Sequence, residues 1–588
     1  MPALPFHPSV RIAQIASAAA PDERPNQEPA ASDAAGFVRF EDIPRRAAEP
    51  SGMTTTIHRA RRIVTMTDDA PEAFAVHGET IAAIGTLADL RERFGGAEVV
   101  DHRDGVIVPG FNDAHAHLAV AAEDMLHLDL SIDAVSSLAE IAAKLRAELA
   151  HTPPGGWLRG SRYDDAKMAE GRVLTRWDLD EISRDHPILV LQVAGHWGVV
   201  NSKALELGGI DETTEAPPGG KFGRDGSGRL NGILFETAIF DFAYPQSSRT
   251  GETIAPASTP QDRQRGLGLA MRAFHAAGIT SVTDALIGPD DIALLEEARD
   301  HGALTMRVNM LLHFEHYGLL ARRGWRSGSG DGRLRLGGIK TFVDGAIGGR
   351  TCLMEEPFEG TTDDFGMQTL SDAELRDVVR MAHGDGNRVC THANGDRAIG
   401  KLLDQLEAAQ REHPRPNLHH RIEHCSIVND EILRRMKGLG AIAAPFGSYV
   451  HYHGGKLLDW YGPKRIERMF AHRSFLDYGV AVAGSSDYPC GPYQPLLALQ
   501  SCVTRTGFDG TPLGRSQRIT PNEALALYTT GAAYAAGEAA TKGRLAPGYL
   551  ADFVVLDGDP LTVDPATLGT LGVRATYVGG AQVWNDAG

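Results

Sequence analysis

Short apolar runs alternate with helical patterns through the centre of the chain, and this alternation limits the fold more than any other feature. The strand-like runs are residues 188–193, 279–283, 336–343, 388–391 and 480–484. The helical patterns are residues 137–149, 262–277, 372–383 and 398–411. Such alternation is typical of a parallel sheet, either closed into a barrel or open and doubly wound.

The two ends of the chain have a different texture, rich in β-forming residues. These segments are residues 54–64, 74–84 and 99–108, and near the far end residues 552–557 and 573–584. They predict one small β-sandwich domain built from residues 53–108 plus 540–588. Residues 109–539 then form the main body, and about 119–270 are an insertion, because they are too long for one barrel loop. Residues 1–52 show no periodicity and are interpreted as a disordered extension.

Charge and cysteine usage exclude several classes of function. The net charge of −18 argues against nucleic acid as a partner, because no basic excess replaces its counterions. The 5 cysteines lack paired spacing, so neither a disulfide framework nor a thiolate zinc site is predicted. The sequence has no run of about 18 apolar residues, so we predict no membrane partner. We expect a cytoplasmic protein with a small-molecule substrate. The sequence is also compatible with a homo-oligomer.

The segment 108–117 carries the most specific chemical signal. His115 and His117 follow a strand-like run and a Pro-Gly break, with Asp113 just before them. On an extended backbone, residues two apart face the same side, so both imidazoles can converge on one metal ion. The alternative is an exposed His-x-His pair in a loop.

Three more polar residues stand at the ends of strand-like runs. His392, His424 and Asp487 each follow an apolar segment. Singly, a histidine in such a place is often structural, and an aspartate often caps a turn. Together with His115 and His117, they predict a cluster at one edge of a sheet.

In this order, the motifs resemble the amidohydrolase superfamily, specifically the family 3 branch that includes N-substituted formamide deformylases. The resemblance runs from about residue 54 to 584. Its most specific segments are residues 109–117, 340–350, 391–396, 422–424, 484–489 and 543–557.

The resemblance implies an α/β fold, a TIM (β/α)8 barrel, with one or two divalent metal ions, zinc being the expected metal. The implied metal ligands are His115, His117, Lys340, His392, His424 and Asp487. Lys340 is implied to carry a carbon dioxide-derived carbamate that bridges the metals. Asp487 is implied to be the catalytic residue, which takes a proton from the attacking water and returns it to the leaving nitrogen.

The resemblance also implies substrate contacts, at less specific positions. His196 and Trp197 lie near the pocket of the family, and so does Arg350, which is suited to an anionic group. Many relatives carry Gln-Pro-x-His after the strand of His424, whereas this chain has residues 444–447 as Ala-Pro-Phe-Gly, followed by Tyr449, His451 and His453. This departure falls where substrate selection is expected.

The resulting hypothesis is hydrolysis of a non-peptide C–N bond, in an amide or N-substituted formamide, by metal-activated water. Within the same superfamily, the alternative is deamination or hydrolysis of a cyclic amide or imide. From another class, the alternative is a noncatalytic ligand-binding barrel, because fold does not dictate function.

Overall fold

A computed structural model describes residues 55–586 apart from residues 133, 194, 245–247 and 251, so the extension predicted for residues 1–52 lies outside the described residues. The strands, in chain order, are β1 (Thr55–Arg59), β2 (Arg62–Ile63), β3 (Ala73–His77), β4 (Thr80–Gly85), β5 (Glu98–Asp101), β6 (Val106–Pro109), β7 (Phe111–Ala116), β8 (Leu128–Asp129), β9 (Leu158–Tyr163), β10 (Ile188–Gln192), β11 (Trp197–Val200), β12 (Gly220–Arg224), β13 (Leu230–Glu236), β14 (Ile279–Ile287), β15 (Arg307–His313), β16 (Leu334–Phe342), β17 (Val389–Ala393), β18 (Arg421–His424), β19 (Ile442–Ala444), β20 (Ala481–Val482), β21 (Phe553–Leu556), β22 (Val573–Val578) and β23 (Ala581–Asn585). The α-helices are α1 (Leu87–Arg93), α2 (Leu118–Asp124), α3 (Leu138–Leu149), α4 (Arg176–Asp180), α5 (Ser202–Leu207), α6 (Thr237–Ala243), α7 (Pro260–Ala276), α8 (Pro289–Asp300), α9 (Gly318–Arg323), α10 (Asp372–Gly384), α11 (Asp396–Glu412), α12 (Asp430–Leu439), α13 (Tyr449–His453), α14 (Lys456–Ile466), α15 (His472–Asp477), α16 (Pro495–Thr504), α17 (Pro521–Ala526) and α18 (Ala532–Ala535).

Eight parallel strands form the central sheet, in the order β7, β14, β15, β16, β17, β18, β19, β20. Beyond β20, the backbone N–H of Asp487 donates to the carbonyl of His115 at 2.8 Å. The N–H of His117 donates to the carbonyl of Tyr488 at 2.9 Å. These bonds connect the last segment to the first strand, so the sheet curls into an α/β TIM-like barrel. Of the two architectures that the alternation allows, the barrel is the one observed.

Amphipathic helices cover the outside of the barrel. In α11, Ala398, Leu402 and Leu406 recur every four residues and are buried, which gives the helix one apolar face. The Ser371 side chain caps α10 in a capping box with Glu374, which fixes where that helix begins. The helices predicted at 372–383 and 398–411 are therefore confirmed, within two residues at each end. In the described part of the chain, no helix combines the length and the apolar character that crossing a membrane requires.

Two small sheets, each antiparallel in most of its pairings, combine the two ends of the chain. One has the order β4, β3, β1, β5, and the other has the order β2, β6, β21, β22, β23. Phe74 and Val76 from the first sheet share one apolar cluster with Ile107, Phe553 and Val555 from the second. The ends of the chain thus pack together through both sheets, while the β-sandwich classification stays a prediction.

A six-stranded sheet lies between the first two barrel strands in sequence, in the order β12, β13, β11, β10, β9, β8. The strand-like run at 188–193 matches the alternation of the barrel but belongs to this sheet, as β10. Helices α2 and α7 flank the insertion and pack closely: a Cβ at Gly266 would lie 2.0 Å from the carbonyl oxygen of Ala122. This close approach requires glycine.

Candidate metal centre

The predicted metal-binding side chains converge at the carboxyl-terminal edge of the barrel. His115 lies in β7, Lys340 in β16, His392 in β17 and His424 at the end of β18. Asp487 follows β20 and is joined to the first strand through its backbone N–H. Because the carboxyl ends of parallel barrel strands meet at one face, distant parts of the sequence supply one cluster.

His115, His117 and Asp487 form its tightest part. Nε2 of His117 lies 3.1 Å from Oδ1 of Asp487, and Nε2 of His115 lies 3.5 Å from the same oxygen. One ligand atom from each of the three residues lies within 4.8 Å of the others. Two imidazole nitrogens and a carboxylate oxygen are a donor set that zinc accepts.

Lys340, His392 and His424 surround this group. Nζ of Lys340 lies 3.3 Å from Nε2 of His115. The ring centroid of His424 lies 4.7 Å from that of His115 and 4.6 Å from that of His392. The structure therefore brings together all six of the residues that the sequence predicts as metal ligands.

The backbone at two of these strand ends is strained. His424 has a φ of 68°, Cys425 of 40° and Asp487 of 54°. Residues other than glycine rarely adopt this left-handed region, at a cost of roughly 1–3 kcal/mol each. Such conformations persist only where surrounding contacts hold them, and the hydrogen bond from Asp487 to the His115 carbonyl is one such contact. The strained turns direct both side chains into the cluster.

His115 contacts an acidic residue to which the sequence argument gave no role. Oε2 of Glu423 contacts Nδ1 of His115. Arg421 donates Nε and Nη2 to the two oxygens of Glu423, each at 2.8 Å. All three side chains are buried. Arg421 and Glu423 are two apart on β18 and so face the same side of the sheet. Charged residues at alternate positions of a buried strand are the signal that could have identified them.

His117 is held differently, by the backbone. Its Nδ1 lies 2.9 Å from the carbonyl oxygen of Ala285, so this nitrogen must donate. The neighbouring Asp284 accepts the backbone N–H groups of Leu118 and Ala119, at 2.9 and 3.1 Å, and so fixes the start of α2. Burial raises the pKa of Asp284 well above its usual value, and nearby Asp291 adds to this. Sequence reasoning missed Asp284, although an acidic residue inside a buried strand is a recognisable signal.

Burial keeps three imidazoles of the cluster, those of His115, His392 and His424, neutral. Burial, together with the charge of Lys340, lowers the pKa of His115 to about 4 and that of His392 to about 3. The pKa of His424 is held well below its usual value, first by burial and then by His392. Neutral imidazole is the form that binds a metal ion. At neutral pH these rings therefore have lone pairs available.

The two remaining ionisable members differ in their response to burial. Burial lowers the pKa of Lys340, although the charges of Glu423 and Asp487 oppose this effect. Burial alone would raise the pKa of Asp487, but the groups around it, His117 first and then His115 and Lys340, together outweigh burial and hold that pKa below its usual value. The lysine is therefore shifted towards its neutral amine, while Asp487 is ionised.

Aromatic rings form the wall beside His424. The ring of Phe446 stacks on His424 at a centroid distance of 4.4 Å and on Tyr449 at 3.6 Å. A Cβ at Gly447 would lie 2.0 Å from the hydroxyl of Tyr528, so a histidine side chain does not fit at this position. At the position of the motif's histidine this chain therefore has a glycine packed against Tyr528.

The predicted substrate-binding residues lie outside this contact network. His196 is half exposed and pairs with Glu236 at 3.1 Å. Trp197 lies in β11 of the insertion sheet. The guanidinium of Arg350 lies over the ring of Phe358 at 5.4 Å. None of the described hydrogen bonds, ion pairs or ring contacts of these three residues reaches the metal-ligand cluster, so their substrate roles stay predictions.

A divalent metal ion fits this cluster on chemical grounds. The buried Nδ1 of His424 has no hydrogen-bond partner among the residues that the structure describes. Leaving such a group without a partner is costly. Neutral imidazoles beside the ionised Asp487 offer lone pairs and a negative charge together, and a cation would use both.

Comparisons with known proteins show the family to which the chain belongs. The amidohydrolase family matches residues 98–584. The N-substituted formamide deformylase of Arthrobacter pascens is 30% identical over 543 residues, which cover 90% of this chain and 97% of that protein. The YtcJ protein of Bacillus subtilis (strain 168) is 30% identical over 527 residues, which cover 88% of this chain and 97% of that protein.

Solved structures extend the comparison to the fold. A metal-dependent hydrolase from Pyrococcus horikoshii OT3 has a TM-score of 0.71 at 24% identity, covering 87% of this chain and 99% of that one. This likeness concerns the fold alone. Because the family match spans most of the sequence, the chain belongs to the amidohydrolase family and is an enzyme that acts on carbon–nitrogen bonds other than peptide bonds.

Proposed function

We propose that the enzyme hydrolyses an amide or N-substituted formamide by means of one or two divalent ions, with zinc as the expected metal. The ligands are His115, His117, His392, His424, Asp487 and Lys340, the last as a carbamate. The observation that carries the proposal is the convergence of His115, His117 and Asp487, whose ligand atoms lie within 4.8 Å of one another. The relative named as an N-substituted formamide deformylase supports the choice of bond.

A bound divalent ion would act as a Lewis acid and would lower the pKa of its water to about 7. Asp487 supplies the proton transfers. Its carboxylate is ionised and lies beside His117 and His115, so it can accept a proton from the attacking water. The same carboxyl group can then return that proton to the leaving nitrogen. One side chain thus serves first as base and then as acid.

Lys340 supplies negative charge once it is carboxylated. Its amine is buried beside His115, and burial favours the neutral form, which is the form that reacts with carbon dioxide. A free ammonium in this place would repel divalent cations. The carbamate converts that repulsion into attraction and offers two oxygens.

Substrate contacts and domain boundaries complete the proposal. His196 and Trp197, on the insertion, and Arg350, after β16, contact the substrate. Residues 53–108 plus 540–588 form the β-sandwich domain, and residues 109–539 form the barrel with its insertion at about 119–270. The five free cysteines are consistent with a cytoplasmic enzyme.

Metal content and activity, measured on one preparation, test the proposal. We expect one or two equivalents of divalent metal per chain, with hydrolysis in a panel of N-substituted formamides, acyl amides and cyclic imides. The double variant His115→Ala/His117→Ala should lose metal and activity together, whereas exposed His301→Ala should keep both. A crystal structure of the metal-loaded enzyme should show density beyond Nζ of Lys340. Full turnover in the metal-free double variant would exclude the mechanism, and ammonia as the product would favour deamination.

A further inference from the structure

We propose that Glu423 and Arg421 are positioning residues that set the tautomer and orientation of His115, so that its Nε2 is kept free for metal binding. The part of the proposal that concerns metal binding rests on the proposed function. The part that concerns the tautomer of His115 does not. Both residues lie outside the predicted ligand set. They act through their contacts with His115 and its strand.

The three side chains form a directed chain of hydrogen bonds. Arg421 uses Nε and Nη2 on the two oxygens of Glu423, at 2.8 Å each. Arginine has only donors, and a carboxylate engaged by two of them is ionised and can only accept. The Nδ1 of His115 that contacts Glu423 must therefore carry the hydrogen.

The other nitrogen of His115 is then the one with the lone pair. In a neutral imidazole only one nitrogen is protonated. Nε2 lies 3.3 Å from Nζ of Lys340 and 3.5 Å from Oδ1 of Asp487, inside the cluster. Glu423 thus selects the tautomer that directs a ligand atom towards the predicted metal position.

Arg421 also holds the strand that carries His115. Its Nη2 donates to the carbonyl oxygen of Ala114 at 2.6 Å. This bond crosses the inside of the barrel from β18 to β7. One guanidinium therefore fixes both the carboxylate beside His115 and the backbone next to it. Orientation and tautomer are set by the same group.

The second histidine of the motif provides an internal contrast. His117 donates Nδ1 to the backbone carbonyl of Ala285. A side-chain substitution cannot remove that acceptor, whereas the acceptor of His115 is a side chain. Changing Glu423 should therefore alter His115 and leave the tautomer of His117 as it is.

Replacement of Glu423 by glutamine turns one acceptor of the side chain into a donor and leaves the size of the side chain almost unchanged. Glutamine has one acceptor oxygen and one NH₂ donor in place of the two acceptors. If the NH₂ faces His115, the ring must take the other tautomer, and Nε2 carries the hydrogen. If the NH₂ faces Arg421, two buried donors oppose each other. Either arrangement disturbs the chain.

The buried pair of Arg307 and Asp552 is the matched control. Arg307 donates Nε and Nη2 to the Asp552 oxygens at 2.7 and 3.0 Å, and both side chains are buried. This pair has the same chemistry as Arg421 and Glu423, but it lies at the opposite edge of the barrel. Asp552→Asn should therefore report the structural cost of losing such a pair.

The first measurement is Zn²⁺ affinity, by competition with a chelator, for the wild type, Glu423→Gln, Glu423→Asp and Asp552→Asn. Loss of a carboxylate partner of a metal-binding histidine typically costs about 10–100-fold in affinity. We expect a loss of that order in Glu423→Gln, a smaller one in Glu423→Asp, which keeps the charge, and none in Asp552→Asn. Equal affinity in Glu423→Gln and the wild type, or equal losses in Glu423→Gln and Asp552→Asn, would overturn the assignment. If Glu423→Gln does not fold, Glu423→Asp and Arg421→Lys carry the comparison with Asp552→Asn.

The second measurement separates this inference from the metal-dependent function. In protein labelled with ¹⁵N-histidine and stripped of metal, imidazole NMR should show His115 protonated at Nδ1, and Glu423→Gln should change only that ring. This result would hold even if the wild type bound no Zn²⁺, in which case the proposed function alone would fail. A His115 protonated at Nε2 in the wild type would overturn the positioning role directly.

Discussion

A buried ion pair at the amino-terminal edge of the barrel and a buried histidine at the carboxyl-terminal edge differ in how their polar atoms are partnered. At the amino-terminal edge, Arg307 uses Nε, Nη1 and Nη2 on acceptors, and Asp552 accepts from it twice. At the carboxyl-terminal edge, Nδ1 of His424 is buried without a hydrogen-bond partner among the described residues. His424 and Asp487 also have strained backbones there. The Arg307–Asp552 pair thus has partners for its polar atoms, whereas His424 keeps one ring nitrogen without a partner among the described residues.

The difference separates stability from chemistry. Satisfied buried groups stabilise the fold, whereas unsatisfied groups and strained turns cost free energy and persist where function requires them. Catalytic groups of TIM barrels lie at the carboxyl-terminal face, and the opposite face serves stability. Substitutions at the two edges should therefore fail in different ways.

Asp487→Asn should have the largest effect on turnover. Asparagine keeps the size of the side chain but cannot accept a proton at neutral pH. General acid–base catalysis contributes about 10²–10⁴-fold, and we expect kcat to fall by at least that order because Asp487 serves twice. Metal content and melting temperature, measured on the same preparation, should change much less. Near-normal kcat with a lowered melting temperature would show that Asp487 only caps the turn after β20.

Asp552→Asn should do the reverse. Removing one partner of a buried ion pair typically costs about 3–5 kcal/mol, because the other charge stays buried. We expect urea denaturation to show a loss of that order in the free energy of unfolding, with kcat and metal content of the folded protein unchanged. The exposed pair of Arg574 and Asp104 is the control, since Asp104→Asn should cost far less. A fall in kcat comparable with that of Asp487→Asn would contradict the division between the two edges.

Periodicity was enough to predict several of the barrel elements, because their apolar residues are local signals, but it did not indicate β15. The strand predicted at 279–283 lies within β14, and the run at 388–391 overlaps β17. The same signal could not assign β10 to its sheet, because a buried strand has the same pattern in a barrel and in an insertion. Sheet membership depends on pairing between distant segments.

Two kinds of site residue could be predicted: residues close together in one motif, and residues at the ends of strands that share one edge of the sheet. His115 and His117 are two apart, and the positions of His392, His424 and Asp487 follow from their strands. The contact between Glu423 and His115 joins residues 308 positions apart, and no local pattern predicts it. His196 and Arg350 were predicted from their motif positions alone, and none of their described contacts reaches the metal-ligand cluster.

A chain of histidines at the amino-terminal edge gives the last and smallest expected effect, an acid sensitivity of the fold. The backbone N–H of Val389 donates to Nδ1 of His420 at 3.0 Å, so this nitrogen is unprotonated. His420 then donates Nε2 to Nδ1 of His383 at 2.9 Å, and His383 donates its own Nε2 to the carbonyl of His413 at 2.6 Å. The bonds require both rings to be neutral. Arg388 and His419 also face His420 and oppose its protonation.

The sign of the effect follows from the lowered pKa of His420, which burial, with the nearby His383, reduces to about 3. In the unfolded chain this group titrates near 6.5, so below about pH 6.5 the unfolded state binds a proton that the folded state does not. Stability is therefore fully present above that pH and falls by up to about 1.4 kcal/mol per pH unit as the pH drops towards 3. His420→Gln can accept from Val389 and donate to His383 without titrating, so urea denaturation at pH 7.5, 6.5, 5.5 and 4.5 should show a shallower loss than in the wild type. Exposed His151→Gln should leave the slope unchanged, and parallel slopes for His420→Gln and the wild type would show that this chain does not set the acid sensitivity.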